Sequence, residues 1–182
     1  MLRSRTLRLC LATASALAGL LPLSGHADDF PTVMARVDTA SEATVFLVPP
    51  MALFRTSLDE AGMQTASCRY ATTDPAAIRA LAGLLKDGRL ATNVVYARPD
   101  MREGVYLTLA DGARVKLLLQ DNHGGKSPVS GLAETFLAGN PQTVSVTGAQ
   151  TLAVDLRRWA VAYGGTGTGS ACNRQTPVAD PR

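Results

Sequence analysis

The sequence predicts an α+β fold: a single small domain with a mixed or antiparallel sheet, about three helices packed on it, and one disulfide. Candidate strands and helices interleave in the order β, β, α, β, β, β, α, β, α. The segment 104–119 has the pattern of a β-hairpin, which makes at least part of the sheet antiparallel. A doubly wound parallel sheet therefore fits the sequence less well.

Residues 1–27 have the features of a cleavable signal peptide. Three arginines and no acidic residue occupy the first eight positions, and 9–23 is almost wholly apolar. This run is shorter than the roughly 18 apolar residues that a membrane-spanning helix needs. Small residues at positions 25 and 27 fit a cleavage site, so we expect cleavage near Ala27 and a mature chain that starts at Asp28. The expected location is periplasmic or extracellular.

The first half of the mature chain contains three candidate strands and one helix. Residues 44–48 form a run of β-formers that ends at two prolines, and 65–71 is a second candidate strand. A helix is predicted over 74–88, with Asp74 as its N-cap and Gly88 at its end. Its apolar side chains recur at helical spacing: Ile78, Leu81, Leu84 and Leu85. Residues 93–97 are a further candidate strand.

The register of the hairpin at 104–119 follows from its apolar pattern. A two-residue turn at Asp111 and Gly112 would mix apolar and charged side chains on each face. A three-residue loop over 110–112, with Gly112 in a left-handed conformation, separates the two kinds of side chain. It gives the pairs Val105 with Leu117, Leu107 with Val115, and Leu109 with Ala113. The opposite face, expected to point to solvent, carries Tyr106, Thr108, Arg114 and Lys116.

The sequence of the second half predicts two helices, one strand and a tail. Ser127 and Pro128 are suited to start a helix over 127–139, and 143–146 alternates like a strand. The spacing of Leu152, Leu156, Trp159 and Tyr163 predicts a final helix, beside which Arg157 and Arg158 are expected to face water. We therefore expect one domain over 28–163 and a flexible, glycine-rich tail over 164–182 that Cys172 tethers.

The charge of the mature chain argues against nucleic-acid binding. The whole chain has a formal net charge of +3, and the three arginines of the predicted signal peptide account for that excess. The mature chain of about 155 residues would have as many basic as acidic side chains, so its composition favours neither nucleic acid nor an anionic membrane. We also expect no membrane span after cleavage.

Two cysteines, Cys68 and Cys172, remain after the predicted loss of Cys10 with the signal peptide. Export exposes them to an oxidising compartment, where paired thiols persist as a disulfide. The alternative is a free reactive thiol. Neither cysteine has a CxxC neighbour or a nearby histidine, so the sequence favours the structural disulfide.

Few residues in the mature chain suit a metal, cofactor or catalytic site. His123 is its single histidine, and no calcium-loop pattern occurs, so we expect no metal site. The run 124–127 has Gln120 where a phosphate-binding loop needs its first glycine, and the glycines at 165–169 follow a helix rather than a strand. We therefore expect no cofactor. No nucleophile-elbow motif is present either.

The densest polar stretch, 121–127, joins a predicted strand to a predicted helix. It is a candidate recognition loop, because backbone N–H groups at a helix start can hold an anion or a carboxylate of a partner. The alternative is an ordinary solvated connection, since such loops are rich in Asn, Gly and Ser in any case. The candidate binding residues are Asp121, Asn122, His123, Lys126 and Ser127.

These observations favour an exported, non-catalytic binding module that acts on another protein or an envelope component. An inhibitor, an immunity protein or an accessory protein would fit this description. Two alternatives stay open: a small secreted hydrolase that uses Asp121, His123 or Ser127, and a structural component of the envelope.

Overall fold

The computed structural model describes residues 30–93, 100–120, 127–137, 140–163, 167–169 and 172. Within these residues, four α-helices and a seven-stranded antiparallel sheet confirm the α+β fold, with a larger sheet than the sequence predicted. The helices are α1 (Phe30–Ala35), α2 (Glu60–Ala66), α3 (Pro75–Asp87) and α4 (Leu152–Tyr163), and a 3-10 helix spans Val37–Thr39. In the described part of the chain, no helix has the length and apolar character to cross a membrane. The predicted signal peptide, 1–27, lies outside the described residues.

All seven described strands belong to one sheet. Its strands are β1 (Ala40–Leu47), β2 (Cys68–Thr72), β3 (Ala91–Thr92), β4 (Glu103–Leu109), β5 (Arg114–Gln120), β6 (Val129–Leu137) and β7 (Asn140–Gly148). They lie in the order β2-β1-β4-β5-β6-β7-β3, and every neighbouring pair is antiparallel. Strand β3 ends at Thr92, directly before the strand predicted over 93–97. Residues 94–97 of that predicted strand lie outside the described range.

One face of the sheet, here the inner face, carries the main core. Alternate residues of the central strands point to this side, among them Val45, Val105 and Leu117, which are fully buried. Helices α1, α3 and α4 cover them with apolar side chains such as Val33, Leu81 and Leu156. Strand alternation and helical periodicity thus place the core between the helices and one side of the sheet.

Helix α3 begins as the sequence predicts, and α4 packs against it. Both carboxylate oxygens of Asp74 accept backbone N–H groups in the first turn of α3, and Pro75 fits that turn because its missing N–H is not needed there. The indole Nε1 of Trp159 donates to the carbonyl of Ala77 at 2.9 Å, which joins α4 to α3. A polar atom of the buried ring is thereby satisfied inside the core.

The hairpin register is confirmed. Val105 pairs with Leu117 and Leu107 with Val115, and the N–H of Leu109 donates to the carbonyl of Ala113 at 2.8 Å. Gly112 has a φ of +83°, the left-handed conformation that the three-residue loop requires.

The prediction of a helix over 127–139 is wrong, because Val129–Leu137 forms strand β6. Apolar residues recur here at helical spacing, but the buried residues alternate as in a strand: Val129, Gly131, Ala133 and Thr135. Hydrogen bonding to β5 on one side and β7 on the other satisfies the backbone of this segment. Tertiary pairing therefore overrides the local helical signal. The strand predicted over 65–71 is corrected in the same way, since Thr65 and Ala66 end α2 and β2 starts at Cys68.

The predicted disulfide joins Cys68 on β2 to Cys172. Their Cα atoms are 4.8 Å apart, and the bond closes a loop of 104 residues in sequence separation. Of the predicted flexible tail, the structure describes 167–169 and Cys172, and Thr168 pairs with Arg69 of β2. The flexibility of the tail stays a prediction.

Candidate functional site

Most of the recognition loop predicted from the sequence lies outside the described residues. This applies to Asp121, Asn122, His123 and Lys126. Ser127 is described and half-buried, and it lies two residues ahead of β6, so it precedes a strand instead of starting a helix. A recognition role for 121–127 stays a prediction.

A different segment presents apolar side chains to solvent: residues 49–59, here called the apolar loop, which joins β1 to α2. Met51 is 87% exposed and Leu53 is 95% exposed. The described residues contain five exposed large hydrophobic side chains, and three of them lie within four positions of this loop: Met51, Leu53 and Phe54. Single exposed apolar residues are ordinary on protein surfaces, whereas a cluster of this kind is typical of an interaction site.

The tip of the apolar loop has a defined turn. The N–H of Ala52 donates to the carbonyl of Pro49 at 3.0 Å. Pro50 occupies the second position of this turn, where its fixed φ is already suitable. Met51 follows at the third position and points its side chain into solvent.

Two residues just before β4, Asp100 and Arg102, hold the apolar loop against the sheet. Arg102 donates from Nη1 to the carbonyl of Ala52 at 2.9 Å, and its guanidinium lies 5.0 Å from the ring centre of Phe54. Asp100 accepts from Arg102 Nε at 2.8 Å and from the N–H of Leu58 at 2.7 Å. Because one ion pair contacts both the tip and the end of the loop, it fixes the loop against the sheet.

The start of the apolar loop is held by a buried ion pair. Arg157 of α4 donates from Nη1 to the carbonyl of Val48 at 2.8 Å and from Nη2 to Glu103 Oε1 at 2.5 Å. Glu103 is fully buried on the inner face of the sheet. The prediction that Arg157 faces water is therefore wrong, while the side chain of its neighbour Arg158 is exposed as expected. A buried carboxylate needs such a partner, which helix periodicity alone does not reveal.

A second, smaller apolar cluster supports the loop on the opposite, outer face of the sheet. Its buried members are Val48, Met63 and Leu118, and Ala52 and Leu58 of the apolar loop pack against them. Gly104 permits the close approach of α2, since a Cβ there would lie 2.7 Å from Met63 Cε. The backbone of the loop thus rests on packed side chains while its tip stays in solvent.

The outer face also carries a polar network beside α2. Tyr106 donates to Glu60 Oε1 at 2.8 Å, and Lys116 donates to Glu60 Oε2 at 2.8 Å and to Glu134 Oε2 at 2.6 Å. Tyr106, Lys116 and Glu134 are direct neighbours across β4, β5 and β6, so the strand register itself brings them together. Tyr106 and Lys116 were predicted to face solvent, but Glu60 of α2 lies over both.

Burial and charge change the acidity of two groups in this network. Desolvation, the hydrogen bond to Glu60 and the nearby carboxylates raise the pKa of Tyr106 above its usual range. Desolvation lowers the pKa of Lys116, but its hydrogen bonds and Coulombic attraction to Glu134 and Glu60 outweigh it, so the net shift is upward. Both groups therefore keep their protons at neutral pH. Neither is a general base in this arrangement.

Two concave surfaces lie near these features. Next to the polar network is a cavity of about 290 Å³, whose lining includes Glu42, Arg114 and Phe136. A groove of about 500 Å³ runs between α3 and α4, lined in part by Arg79 and Trp159. Within the described ranges, no three His, Cys, Asp or Glu side chains are grouped to hold a metal ion.

The sequence contains a signal for the apolar loop that strand and helix periodicity does not reveal. Pro49 and Pro50 were interpreted only as the end of a strand. The run of Met51, Ala52, Leu53 and Phe54 then follows outside every predicted strand and helix. Periodicity assigns no core-facing side to an apolar run outside every predicted strand and helix, so such a run indicates a contact surface.

The chain was compared with family models, with curated proteins and with solved structures, and no match was found in any of the three.

Proposed function

We propose that this chain is an exported, non-catalytic binding module that acts on another protein, and that the apolar loop is its contact surface. One observation carries the proposal: Met51 and Leu53 are almost fully exposed at the tip of a loop whose two ends and turn are hydrogen-bonded. An inhibitor, an immunity protein or an accessory protein of the envelope would work in this way.

The energetics of the tip favour binding. Burying an exposed Met or Leu side chain contributes about 1.5–3 kcal/mol each. Arg102, Asp100 and Arg157 already hold the loop in one conformation, so little conformational entropy is lost on docking. Exposed polar residues, Arg55, Thr56 and Ser57, follow the apolar tip. An apolar centre with a polar rim is typical of protein–protein contact surfaces.

The shape of the loop favours a concave partner. Its apolar side chains project from a narrow turn after Pro50 instead of forming a flat face. A projecting pair of side chains buries most of its surface when it enters a pocket. The proposed partner is therefore a protein with an apolar pocket or cleft wide enough to admit Met51 and Leu53.

A comparative capture experiment tests the proposal. The chain starting at Asp28 is immobilised and exposed to envelope extract and culture fluid, and bound proteins are quantified by mass spectrometry. The double variant Met51→Ser, Leu53→Ser removes the apolar tip. Val161→Ser is the matched control, because Val161 is also largely exposed but lies on α4, outside the loop.

We expect at least one protein that the unchanged chain and Val161→Ser retain equally and that the double variant retains at least about tenfold less, since 1.4 kcal/mol corresponds to tenfold. Equal retention by all three baits would contradict the proposal. A further bait, His123→Ala, tests the loop over 121–127. Loss of the partner in that variant alone would move the contact surface to that loop.

A further inference from the structure

Strand β2 is the outermost strand at one end of the sheet. Its inner neighbour is β1, and Tyr70 lies opposite Val45 in that pairing. Both backbone groups of Arg69 point away from β1, since they bond to Thr168 instead. Because strand residues alternate, the backbone groups of Ala71 point to the same side as those of Arg69. If nothing covered this edge, it would pair readily with a strand of another chain.

Residues 167–169, here called the edge cap, lie along this side of β2. The N–H of Arg69 donates to the carbonyl of Thr168 at 2.8 Å, and the N–H of Thr168 donates to the carbonyl of Arg69 at 2.8 Å. Gly167 lies against the ring of Tyr70, where a Cβ would be 2.7 Å from Tyr70 Cε1. The edge cap therefore occupies the outer backbone groups of Arg69 and one side of the Tyr70 ring.

The glycines of the edge cap are required by this close approach. A Cβ at Gly167 would also collide with the sulfur of Cys68. Gly169 has a φ of +122° and a Cβ there would lie 2.9 Å from the carbonyl oxygen of Ser67. The glycine-rich composition of this stretch thus fits a backbone that packs directly on an edge strand.

The disulfide holds the edge cap in place. Cys172 donates its N–H to the carbonyl of Gly169 at 3.2 Å and is bonded to Cys68, the first residue of β2. The two hydrogen bonds between Arg69 and Thr168 do not by themselves offset the conformational entropy lost when this segment is ordered. The covalent link limits that loss, because the segment cannot move far from β2.

We infer that residues 167–169 act as a disulfide-held edge cap, and that loss of the disulfide opens the edge of β2 to pairing with β2 of a second copy of this chain. A dithiol supplies two electrons and two protons to the Cys68–Cys172 bond. Two cysteine thiols form, and the dithiol is oxidised to its own disulfide. The freed segment then leaves the backbone groups of Arg69 and Ala71 available to another strand.

The sequence of β2 suits a symmetric antiparallel pair. With a two-fold axis at Tyr70, Arg69 of each copy lies opposite Ala71 of the other, and both residues have their backbone groups directed at the partner. The two Tyr70 rings meet on the inner face, which is a favourable cross-strand contact. A register centred on Arg69 would instead oppose two like charges, which disfavours it.

Sedimentation velocity of the chain starting at Asp28 tests the inference, with and without dithiothreitol, over a range of protein concentrations. We expect the oxidised chain to stay monomeric and the reduced chain to double its mass as concentration rises. Ala71→Pro removes the N–H that the pairing needs and is tolerated on an edge strand, so this variant should stay monomeric after reduction. The matched control Ala71→Val keeps that N–H and should still dimerise.

A reduced chain that keeps its circular dichroism spectrum and stays monomeric throughout would overturn the inference, as would equal dimerisation of the Ala71→Pro variant. If reduction unfolds the chain, the variant Thr168→Pro provides the test in its oxidised form. It removes the N–H that donates to the carbonyl of Arg69, while the disulfide stays intact. This variant should show a dimer that Thr168→Val lacks. A monomer in both variants would again overturn the inference.

Discussion

The two faces of the sheet stabilise their charged side chains in different ways. On the inner face, one fully buried carboxylate, Glu103, meets one guanidinium, that of Arg157, which also holds the start of the apolar loop. On the outer face, Lys116 lies between Glu60 and Glu134, and both carboxylates keep contact with solvent. Water can compensate for a lost partner on the outer face but not on the inner one. The inner pair should therefore contribute more to stability than the outer network, and it also holds the start of the apolar loop.

The largest expected effect follows from removing Arg157. Arg157→Leu leaves Glu103 buried without its guanidinium and the carbonyl of Val48 without its donor, which should lower the free energy of unfolding by about 3–5 kcal/mol. Urea denaturation measures this change. Arg158→Leu is the matched control, since the exposed side chain of Arg158 should contribute within about 0.5 kcal/mol.

A double variant separates the charge from the hydrogen bond to the loop. Replacing both Glu103 and Arg157 with Leu removes the buried carboxylate together with its guanidinium and should recover most of the lost stability. The carbonyl of Val48 still lacks its donor, so a deficit of about 1–3 kcal/mol should persist. If the double variant were as unstable as Arg157→Leu alone, the buried carboxylate would not be the cause.

A smaller, pH-dependent effect is expected on the outer face. The raised pKa of Lys116 means that its network stabilises the fold fully below the pKa of lysine in the unfolded chain, and that this contribution is lost as the pH rises through the folded value. Tyr106 acts in the same direction, because its phenol ionises in the unfolded chain above about pH 10 but keeps its proton when folded. The free energy of unfolding should therefore fall above about pH 10.

The variant Lys116→Met checks this prediction. It should lower the free energy of unfolding by about 1 kcal/mol at neutral pH. Above pH 10 this free energy should fall less steeply than in the unchanged chain, because only Tyr106 still contributes. Urea denaturation between pH 8 and 11 measures both curves, and parallel curves for the variant and the unchanged chain would contradict the assignment.

Local rules predicted the parts of the fold that local chemistry decides. The Asp74 cap and Pro75 set the start of α3, and the loop at Gly112 sets the register between β4 and β5. The disulfide followed from the expected oxidising compartment and the even cysteine count of the predicted mature chain. Each of these features depends on residues close in sequence or on composition alone.

The predictions for the segment of β6 and for Arg157 were wrong, because long-range contacts decide the strand structure of the one and the burial of the other. The segment around Leu132 carries a helical apolar spacing, but pairing with β5 and β7 makes it a strand. Arg157 lies beside the apolar stripe of α4, and only the fold brings Glu103 within reach. The apolar loop was missed for a related reason, since exposure of Met51 and Leu53 depends on where the rest of the chain packs.

Site-specific photo-crosslinking tests the central claim most directly. A benzophenone amino acid is placed at Leu53 in one variant and at Val161 in another, and both are irradiated in the presence of envelope extract and culture fluid. The two positions are exposed and apolar, but only Leu53 lies in the apolar loop. We predict a discrete crosslinked protein from Leu53 and none from Val161. The same products from both positions, or a discrete product from Val161 alone, would contradict the account.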